Sequence, residues 1–522
     1  MRLFKIRGGI HPDGRKELAE NARIEQIPLP SLMRIPLKQH TGAPANPIVE
    51  KGESVKKGQL LAISRGAVSA SIHAPTSGRI IAIGRFVAPH ASGLPEPTIT
   101  LRPDGRDEWC QLLPPLDPFE TPPDEIAKRI AEAGVVGLGG AAFPAAVKLN
   151  LRNRTNLHTL VINAAECEPY ITCDDRLMRE RAEEILDGVA IICHTIGVTK
   201  ALIGVEKNKP EAIRALKREV EKQDRYDIKV VEVPTRYPTG FAKHLVQILT
   251  GQEVPARALT AEVGVIVQNV ATTYAIQQAV RYGRPLISRI VTVSGEMIRQ
   301  KGNFEIPIGT PISHIIEHCG GFIDEPEKLL LGGSMMGDPV SSTRAPIIKG
   351  SNGILALGRK ETSQKPIMPC IRCTSCVAAC PCGLMPYEMA ARIKADELES
   401  AVDIGLRDCI ACGSCSFVCP ANIPLVQYFN YAKGSLTAKQ RAAHKQEETK
   451  RLVQFHDARM EKIKREKQEA MARMKAEREA KKRQKEQEEA AKAKAEAEAP
   501  ATEALPDAEE ASTQEQRARA EA

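Results

Sequence analysis

The sequence predicts a multidomain α/β protein made of five successive segments. Three observations predict it. At 522 residues the chain exceeds the roughly 250 to 300 residues at which a single core stops growing. Its middle alternates apolar strand cores with amphipathic helices, the pattern of a largely parallel sheet covered by helices. Toward the C-terminus two cysteine-rich runs give way to a stretch of Ala, Lys, Glu, Arg and Gln.

The bulk composition removes several classes of function. Lys plus Arg outnumber Asp plus Glu by 73 to 65, a mild excess that suits a membrane surface or an acidic partner. With one Trp, ten Phe and eight Tyr, no basic patch is interleaved with aromatics, so nucleic acid is not an expected partner. No apolar run approaches the roughly 18 residues of a spanning helix. Met1 to Ile10 mixes charge and glycine through its few apolar residues, unlike a signal peptide. A soluble or peripheral protein is expected.

Residues 28–104 read as short strands separated by turns. The stretches VEKGESVKKGQLLA and IHAPTSGRI resemble the two halves of a lipoyl or biotinyl carrier sandwich, so residues 1–121 are expected to form a barrel-sandwich-like β module. Counting back from Ala74 and Pro75 puts Ala67 where a carrier would hold its modified lysine. The module is therefore read as structural, not as a swinging arm.

Residues 122–285 form the predicted α/β domain. Strands are expected at Thr159 to Asn163, Ala201 to Val205 and Lys229 to Val233, with helices at Pro123 to Ala133, Lys209 to Glu221 and near Ala242 to Leu249. The loop from Gly137 through Gly139 and Gly140 to Pro144, with Lys148 beyond it, either packs against the domain or cradles phosphate with bare N–H groups and a cation. It follows a helix instead of a strand, so the dinucleotide fingerprint lacks its context. Residues 286–321 read as strands followed by a short helix, which suits a small β-grasp segment at residues 286–361.

Residues 362–436 carry the most specific signal. Eight of the fourteen cysteines fall in two copies of C-x2-C-x2-C-x3-C-P: Cys370, Cys373, Cys376 and Cys380, then Cys409, Cys412, Cys415 and Cys419. This run holds [4Fe–4S] clusters, and in two-cluster ferredoxins the fourth thiolate comes from the partner run. By that rule Cys370, Cys373, Cys376 and Cys419 hold one cluster, and Cys409, Cys412, Cys415 and Cys380 the other. Tetrahedral zinc also uses paired C-x2-C units, but the doubled run with its prolines favours iron–sulfur. Met389, Ile393, Leu398, Val402 and Leu406 recur at helical intervals between the runs, so the insert is expected to be helical. The remaining cysteines, including Cys382, read as buried inert thiols in a reducing cytoplasm.

Residues 437–522 form a charged tail. Pairs such as Glu461 with Arg465 support a single exposed helix, turning acidic and disordered after Pro500. A solvated appendage and a docking tether both fit it.

The α/β motifs, read together, carry a family resemblance. The glycine loop, then Asn163-Ala164-Ala165-Glu166-Cys167-Glu168-Pro169, then Gln268-Asn269-Val270-Ala271-Thr272, occur in the order found in the flavin-binding subunit of respiratory complex I and its relatives. The resemblance implies that Gly137, Gly139, Gly140 and Lys148 hold the FMN phosphate, that Asn163, Glu166, Asn269 and Thr272 contact FMN, and that Glu168 faces the nicotinamide of NADH. Two departures stand out. Ala165 replaces the acidic residue usual in that segment, and Tyr237 to Lys243 lacks the acidic pair after its glycine.

The full order of segments resembles the C subunit of the Rnf (Rsx) ion-translocating electron transport complex. That resemblance implies a peripheral subunit on the cytoplasmic side of the bacterial inner membrane, with NADH as substrate. Electrons would pass through FMN and two [4Fe–4S] clusters to the other membrane subunits or a ferredoxin-like acceptor. No acid–base or nucleophilic side chain is required. A soluble flavin/iron–sulfur cobalamin reductase resembles the same order, and a non-catalytic iron–sulfur relay is the alternative that Ala165 and Ala242 motivate.

Overall fold

A computed structural model describes residues 3–153, 155–362 and 365–497. The chain divides into two units, Met1–Ser435 and Leu436–Ala522.

The first unit begins with a two-sheet β sandwich. One sheet has the order Met33–Pro36, Pro95–Pro103, Gly78–Val87, Ser54–Val55, and the other Asn46–Pro47, Leu60–Ile63, Ile72–His73. Alternating residues such as Met33, Ile35, Ile80, Ile99 and Leu101 are fully buried between them, as strand periodicity requires. Ala67 is exposed between strands Leu60–Ile63 and Ile72–His73, where no prosthetic group can be attached to it.

The α/β domain has one four-stranded sheet, ordered Asp227–Val233, Lys200–Glu206, Thr159–Ala164, Val265–Asn269. Every pairing is parallel. The expected strands and the helices Pro123–Glu132, Pro210–Val220 and Ala242–Thr250 form within a residue or two of their predicted ends. Ile162, Ile203, Val205 and Ile266 face one buried layer, and Val161, Leu202 and Val265 the other. Asn163 and Asn269 pair in register at the carboxyl ends of adjacent strands. Open parallel sheets bind ligands at that edge, where strand order reverses.

The β-grasp segment belongs to a six-stranded sheet, ordered Ile24–Gln26, Gly302–Pro307, Ser288–Ser294, Gly353–Leu357, Lys328–Leu331, Asp338–Pro339. The hairpin Ser288–Ser294 and Gly302–Pro307 is antiparallel, helix Ile312–His318 follows it, and Gly353–Leu357 returns parallel to the first strand. The strand Ile24–Gln26, near the N-terminus, extends this sheet in parallel with Gly302–Pro307. That long-range pairing has no local signal in the sequence.

Between the cysteine runs lie helices Pro386–Lys394 and Leu398–Asp403, with Met389, Ile393 and Leu398 buried. The insert is helical, as its periodicity requires. Helix Leu425–Ala497 starts in this module.

In the second unit that helix is exposed along its apolar residues Leu452, Phe455, Met460, Met471 and Met474. Its i,i+4 ion pairs among the described residues include Lys462–Glu466, Arg465–Glu469 and Lys482–Glu486, at 3.9 to 4.0 Å. Arg465 thus reaches forward to Glu469 and not back to Glu461. The acidic segment after Pro500 lies outside the described residues. No helix among the described residues is long and apolar enough to cross a membrane.

Candidate functional site

The glycine loop is closed at its base and open at its tip. The Gly137 N–H donates to the Phe143 carbonyl at 2.7 Å, and the Ala145 N–H to that of Val135 at 3.0 Å. The Leu138 N–H donates to the Thr272 hydroxyl at 2.8 Å, while Thr41 of the sandwich binds the Ala141 and Ala142 carbonyls. Between these anchors Gly139 and Gly140 are exposed, and their N–H groups make no hydrogen bond among the described residues. Gly140 has φ +112°, and a Cβ added there would meet open space. A Cβ on Gly139 would come 3.2 Å from the Asn269 Cβ, so a side chain there would crowd the strand end.

Charge at this loop is one-sided. Lys148 is partly buried on the short helix Ala145–Leu149, and its Nζ donates to the Val267 carbonyl at 3.2 Å. It makes no ion pair among the described residues, and burial lowers its pKa. A partly buried ammonium without a counter-charge is restored by an anion. One residue before Asn269, both amide atoms of buried Gln268 lack a hydrogen-bond partner. Free N–H groups, an unpaired cation and an unsatisfied amide fit the phosphate and polar edge of FMN.

Asn269 caps helix Val270–Tyr282 by accepting from the Ala271 and Thr272 N–H groups at 2.9 and 3.3 Å, the role Asn is suited to. Asn163 Nδ2 donates to the Gly240 carbonyl at 2.7 Å. Glu166 accepts from the Asp174 and Asp175 N–H groups at 2.7 and 3.2 Å, covering the start of helix Cys173–Glu180. Burial pushes its carboxyl up to about 8, although Lys16 and Lys209 pull it down.

The segment bearing Glu166 and Glu168 is strained, with φ +50° at Glu166 and +67° at Tyr170, a region that non-glycine residues seldom occupy. Two buried lysines hold it. Lys16 Nζ donates to the carbonyls of Glu166, Glu168 and Ile171 at 2.9, 3.1 and 2.6 Å, and Lys209 to that of Ala165 at 3.0 Å. Neither lysine was legible as a site residue, because Lys16 reaches the segment only through the fold and Lys209 opens an ordinary amphipathic helix.

Glu168 contacts a third element, the Gly333 to Met335 segment. Its Oε2 accepts from the Met335 N–H at 3.0 Å, and its Oε1 lies 3.4 Å from the Tyr237 hydroxyl oxygen. A Cβ on Gly333 would lie 2.2 Å from the Glu168 Oε2, so only glycine leaves room for the carboxylate. Burial pushes Glu168 up to about 7. The same Tyr237 hydroxyl donates to the Cys412 carbonyl at 2.6 Å. Tyr237 is 2% exposed, so a single buried side chain joins the flavin-type domain to the cysteine module.

The eight motif cysteines line two cavities, and membership crosses between the runs. Cys370, Cys373, Cys376 and Cys419 line one, with Tyr387 and Ile423. Cys380, Cys409, Cys412 and Cys415 line the other, with Met389 and Phe429. A further cysteine, Cys382, also lines the second cavity, although its spacing breaks the motif. Burial pushes its thiol up to about 12.

Comparison with known proteins finds four family models along the chain. Family models match an RnfC barrel sandwich hybrid domain at residues 4–106, a Nuo51 FMN-binding domain at 130–278, an SLBB domain at 290–339 and a 4Fe-4S dicluster domain at 369–423. The C subunit of the ion-translocating oxidoreductase complex of Rhodobacter capsulatus is 59% identical over 444 residues, covering 85% of each chain. Its counterpart in Pseudomonas aeruginosa is 44% identical over 459 residues, covering 88% of this chain and 59% of its own. Among solved structures, an H2-reduced NAD+-reducing [NiFe]-hydrogenase aligns over 62% of this chain and 63% of its own at 18% identity, with a TM-score of 0.44. The cofactors of the chain are FMN and two [4Fe–4S] clusters, in keeping with the flavin-binding and dicluster segments. With 59% identity to such a subunit over 85% of its length, the chain belongs to the C-subunit family of ion-translocating oxidoreductase complexes, as an electron-transfer subunit.

Proposed function

We propose that the chain oxidises NADH and passes the electrons one at a time toward the membrane subunits of its complex, as a peripheral subunit on the cytoplasmic face of the inner membrane. When bound, FMN accepts an electron pair as hydride and releases it singly, the conversion that iron–sulfur acceptors need. The exposed N–H groups of Gly139 and Gly140 bind its phosphate, with Lys148 supplying charge and Gly137 closing the loop beneath. Asn163, Glu166, Asn269 and Thr272 position the flavin, and Glu168 faces the nicotinamide. Cys370, Cys373, Cys376 and Cys419 ligate one cluster, and Cys380, Cys409, Cys412 and Cys415 the other.

The observation that carries this reading is the Tyr237 hydroxyl, held between Glu168 at 3.4 Å and the Cys412 carbonyl at 2.6 Å. It supports a short route from the nicotinamide side of the flavin to the cluster of Cys412, with the cluster of Cys370 farther out. Anaerobic stopped-flow mixing of the loaded chain with NADH tests it. The expected result is bleaching of flavin absorbance followed by cluster reduction, both slowed in Glu168→Gln. A flavin that is bound but stays oxidised with excess NADH would leave the chain as a relay, not an NADH oxidoreductase.

A further inference from the structure

Beside helix Val270–Tyr282 lies a cavity of about 650 Å³, lined by none of the residues assigned to the flavin or the clusters. Ala271, Tyr274, Ala275 and Gln278 line it, the i, i+3, i+4 and i+7 positions of one helix face. Trp109, Ile27 and Ile290 add apolar wall from neighbouring segments. A cavity of this size where several segments meet is the usual form of a small-molecule site.

Its charge is unbalanced. Four cations line it, Lys57, Arg181, Arg284 and Arg289, against two carboxylates, Asp107 and Glu305. Lys57 and Asp107 satisfy each other at 2.6 Å, and Glu305 accepts from the Ser288 hydroxyl at 2.8 Å. The three guanidiniums make no ion pair among the described residues. Arg181 donates to the Glu180 carbonyl at 3.3 Å, and Arg284 to the Gln278 side chain at 3.1 Å. Arg289 is 3% exposed. Its Nε donates to the Ser351 carbonyl at 3.0 Å and its Nη2 to the Leu138 carbonyl at 3.2 Å, while its Nη1 makes no hydrogen bond among the described residues. Asp174 attracts it without forming an ion pair. A buried guanidinium held only by carbonyls lacks the counter-charge that burial calls for.

We propose that this cavity binds an aromatic phosphate monoester of about mononucleotide size. Such a phosphate carries about two negative charges at neutral pH, which match the excess of cations over carboxylates, and guanidinium is the side chain best suited to phosphate. Tyr274 and Trp109 offer aromatic faces to the body of the ligand. A monocarboxylate would leave part of the charge unmatched, and inorganic phosphate would leave the apolar walls uncovered. The proposal depends neither on NADH as substrate nor on the cluster ligation.

The test is equilibrium dialysis of the full chain against naphthyl phosphate, with the chain carrying its clusters and one equivalent of FMN and freed of excess flavin. One probe per chain is expected to bind while FMN is retained. Arg289→Gln is expected to weaken binding about tenfold. Because Arg289 also holds two carbonyls, Arg284→Gln and Trp109→Ala, both at exposed positions, provide variants that leave the fold intact, and each is expected to weaken binding about threefold. No uptake by the parent would overturn the proposal, as would parent affinity in both Arg284→Gln and Trp109→Ala. Release of FMN by the probe would place it at the flavin site and overturn the proposal too. Equal affinity for inorganic phosphate would reduce the cavity to a site for bare anions, and equal or tighter binding of phthalate would assign it to dicarboxylates; either result overturns the aromatic phosphate as its ligand.

Discussion

Asn269 Nδ2 donates to Asp174 Oδ2 at 2.7 Å, so the residue that caps one helix also satisfies a carboxylate in the first turn of another. The same side chain lies against Gly139 of the glycine loop. One amide thus joins three pieces of the candidate site, and its two ends have separable roles.

Asn269→Ala removes the cap, worth about 1 kcal/mol, and leaves Asp174 without its donor. Asn269→Asp keeps a capping oxygen but sets a second carboxylate beside Asp174 and the proposed phosphate site. Both variants are expected to bind FMN more weakly, the Asp variant more so, because like charges at this distance repel each other and the ligand. Fluorescence titration with FMN measures the order. Equal affinity in the parent and Asn269→Asp would remove Asn269 from the site.

Glu168 makes stability depend on pH in a definite direction. Burial raises its pKa from 4.5 to about 7. Between those values the folded chain holds a proton that the unfolded chain has released. The contribution is therefore whole below about 4.5 and is lost as pH rises toward 7. Glu168→Gln fixes the uncharged shape and still accepts from Met335. The variant is expected to melt higher than the parent at a pH well above 7 and at nearly the same temperature at a pH below 4.5. Thermal unfolding at the two extremes checks this, and an equal shift at both would mean that Glu168 titrates normally.

The sequence made the parallel sheet, the helical insert and the crossed cysteine set legible, because each rests on local periodicity or spacing. The strands around Thr159, Ala201 and Lys229 are short runs rich in β-branched residues such as Val161, Ile162, Ile203, Val205, Val230 and Val231, which favours strand over helix at that length. The supports of the site were not legible. Lys16 lies 150 residues from Glu166, and Tyr237 meets Cys412 across 175 residues. Neither contact leaves a periodic trace. Gly137 illustrates the limit within a motif. Its place in the glycine pattern implied a phosphate donor, but its N–H is spent on Phe143, and only backbone geometry distinguishes it from Gly139.

Tyr237→Phe isolates the link between the domains. It removes the donor to the Cys412 carbonyl and the polar neighbour of the Glu168 Oε1, and an unmet buried acceptor costs about 1 to 3 kcal/mol. The ring still packs with Ile10, Ala379 and Cys412, so the fold is expected to survive. Iron should leave the chain faster in a chelator challenge, and electrons should reach the clusters more slowly while flavin bleaching by NADH keeps its rate. Chelator kinetics and stopped-flow absorbance read the two effects separately. Identical iron release in the parent and Tyr237→Phe would show that the hydroxyl does not support the cluster site.

Crossed ligation gives the most discriminating prediction, because it makes double substitutions non-additive in a way that depends on pairing. Cys376 and Cys419 come from different runs but line one cavity, and Cys415 lines the other. Cys376→Ser with Cys419→Ser should therefore strike the same cluster twice and leave about four irons, with one reducible cluster signal by electron paramagnetic resonance. Cys376→Ser with Cys415→Ser should strike both clusters and leave almost none. Ligation confined to each run reverses the first outcome, since Cys376 and Cys419 would then belong to separate clusters and their joint loss would empty both. Iron analysis of the anaerobically purified double variants decides between the two arrangements. Cys382→Ser is the control, expected to keep about eight irons, because the proposed ligand set of the cluster in its cavity is complete without it.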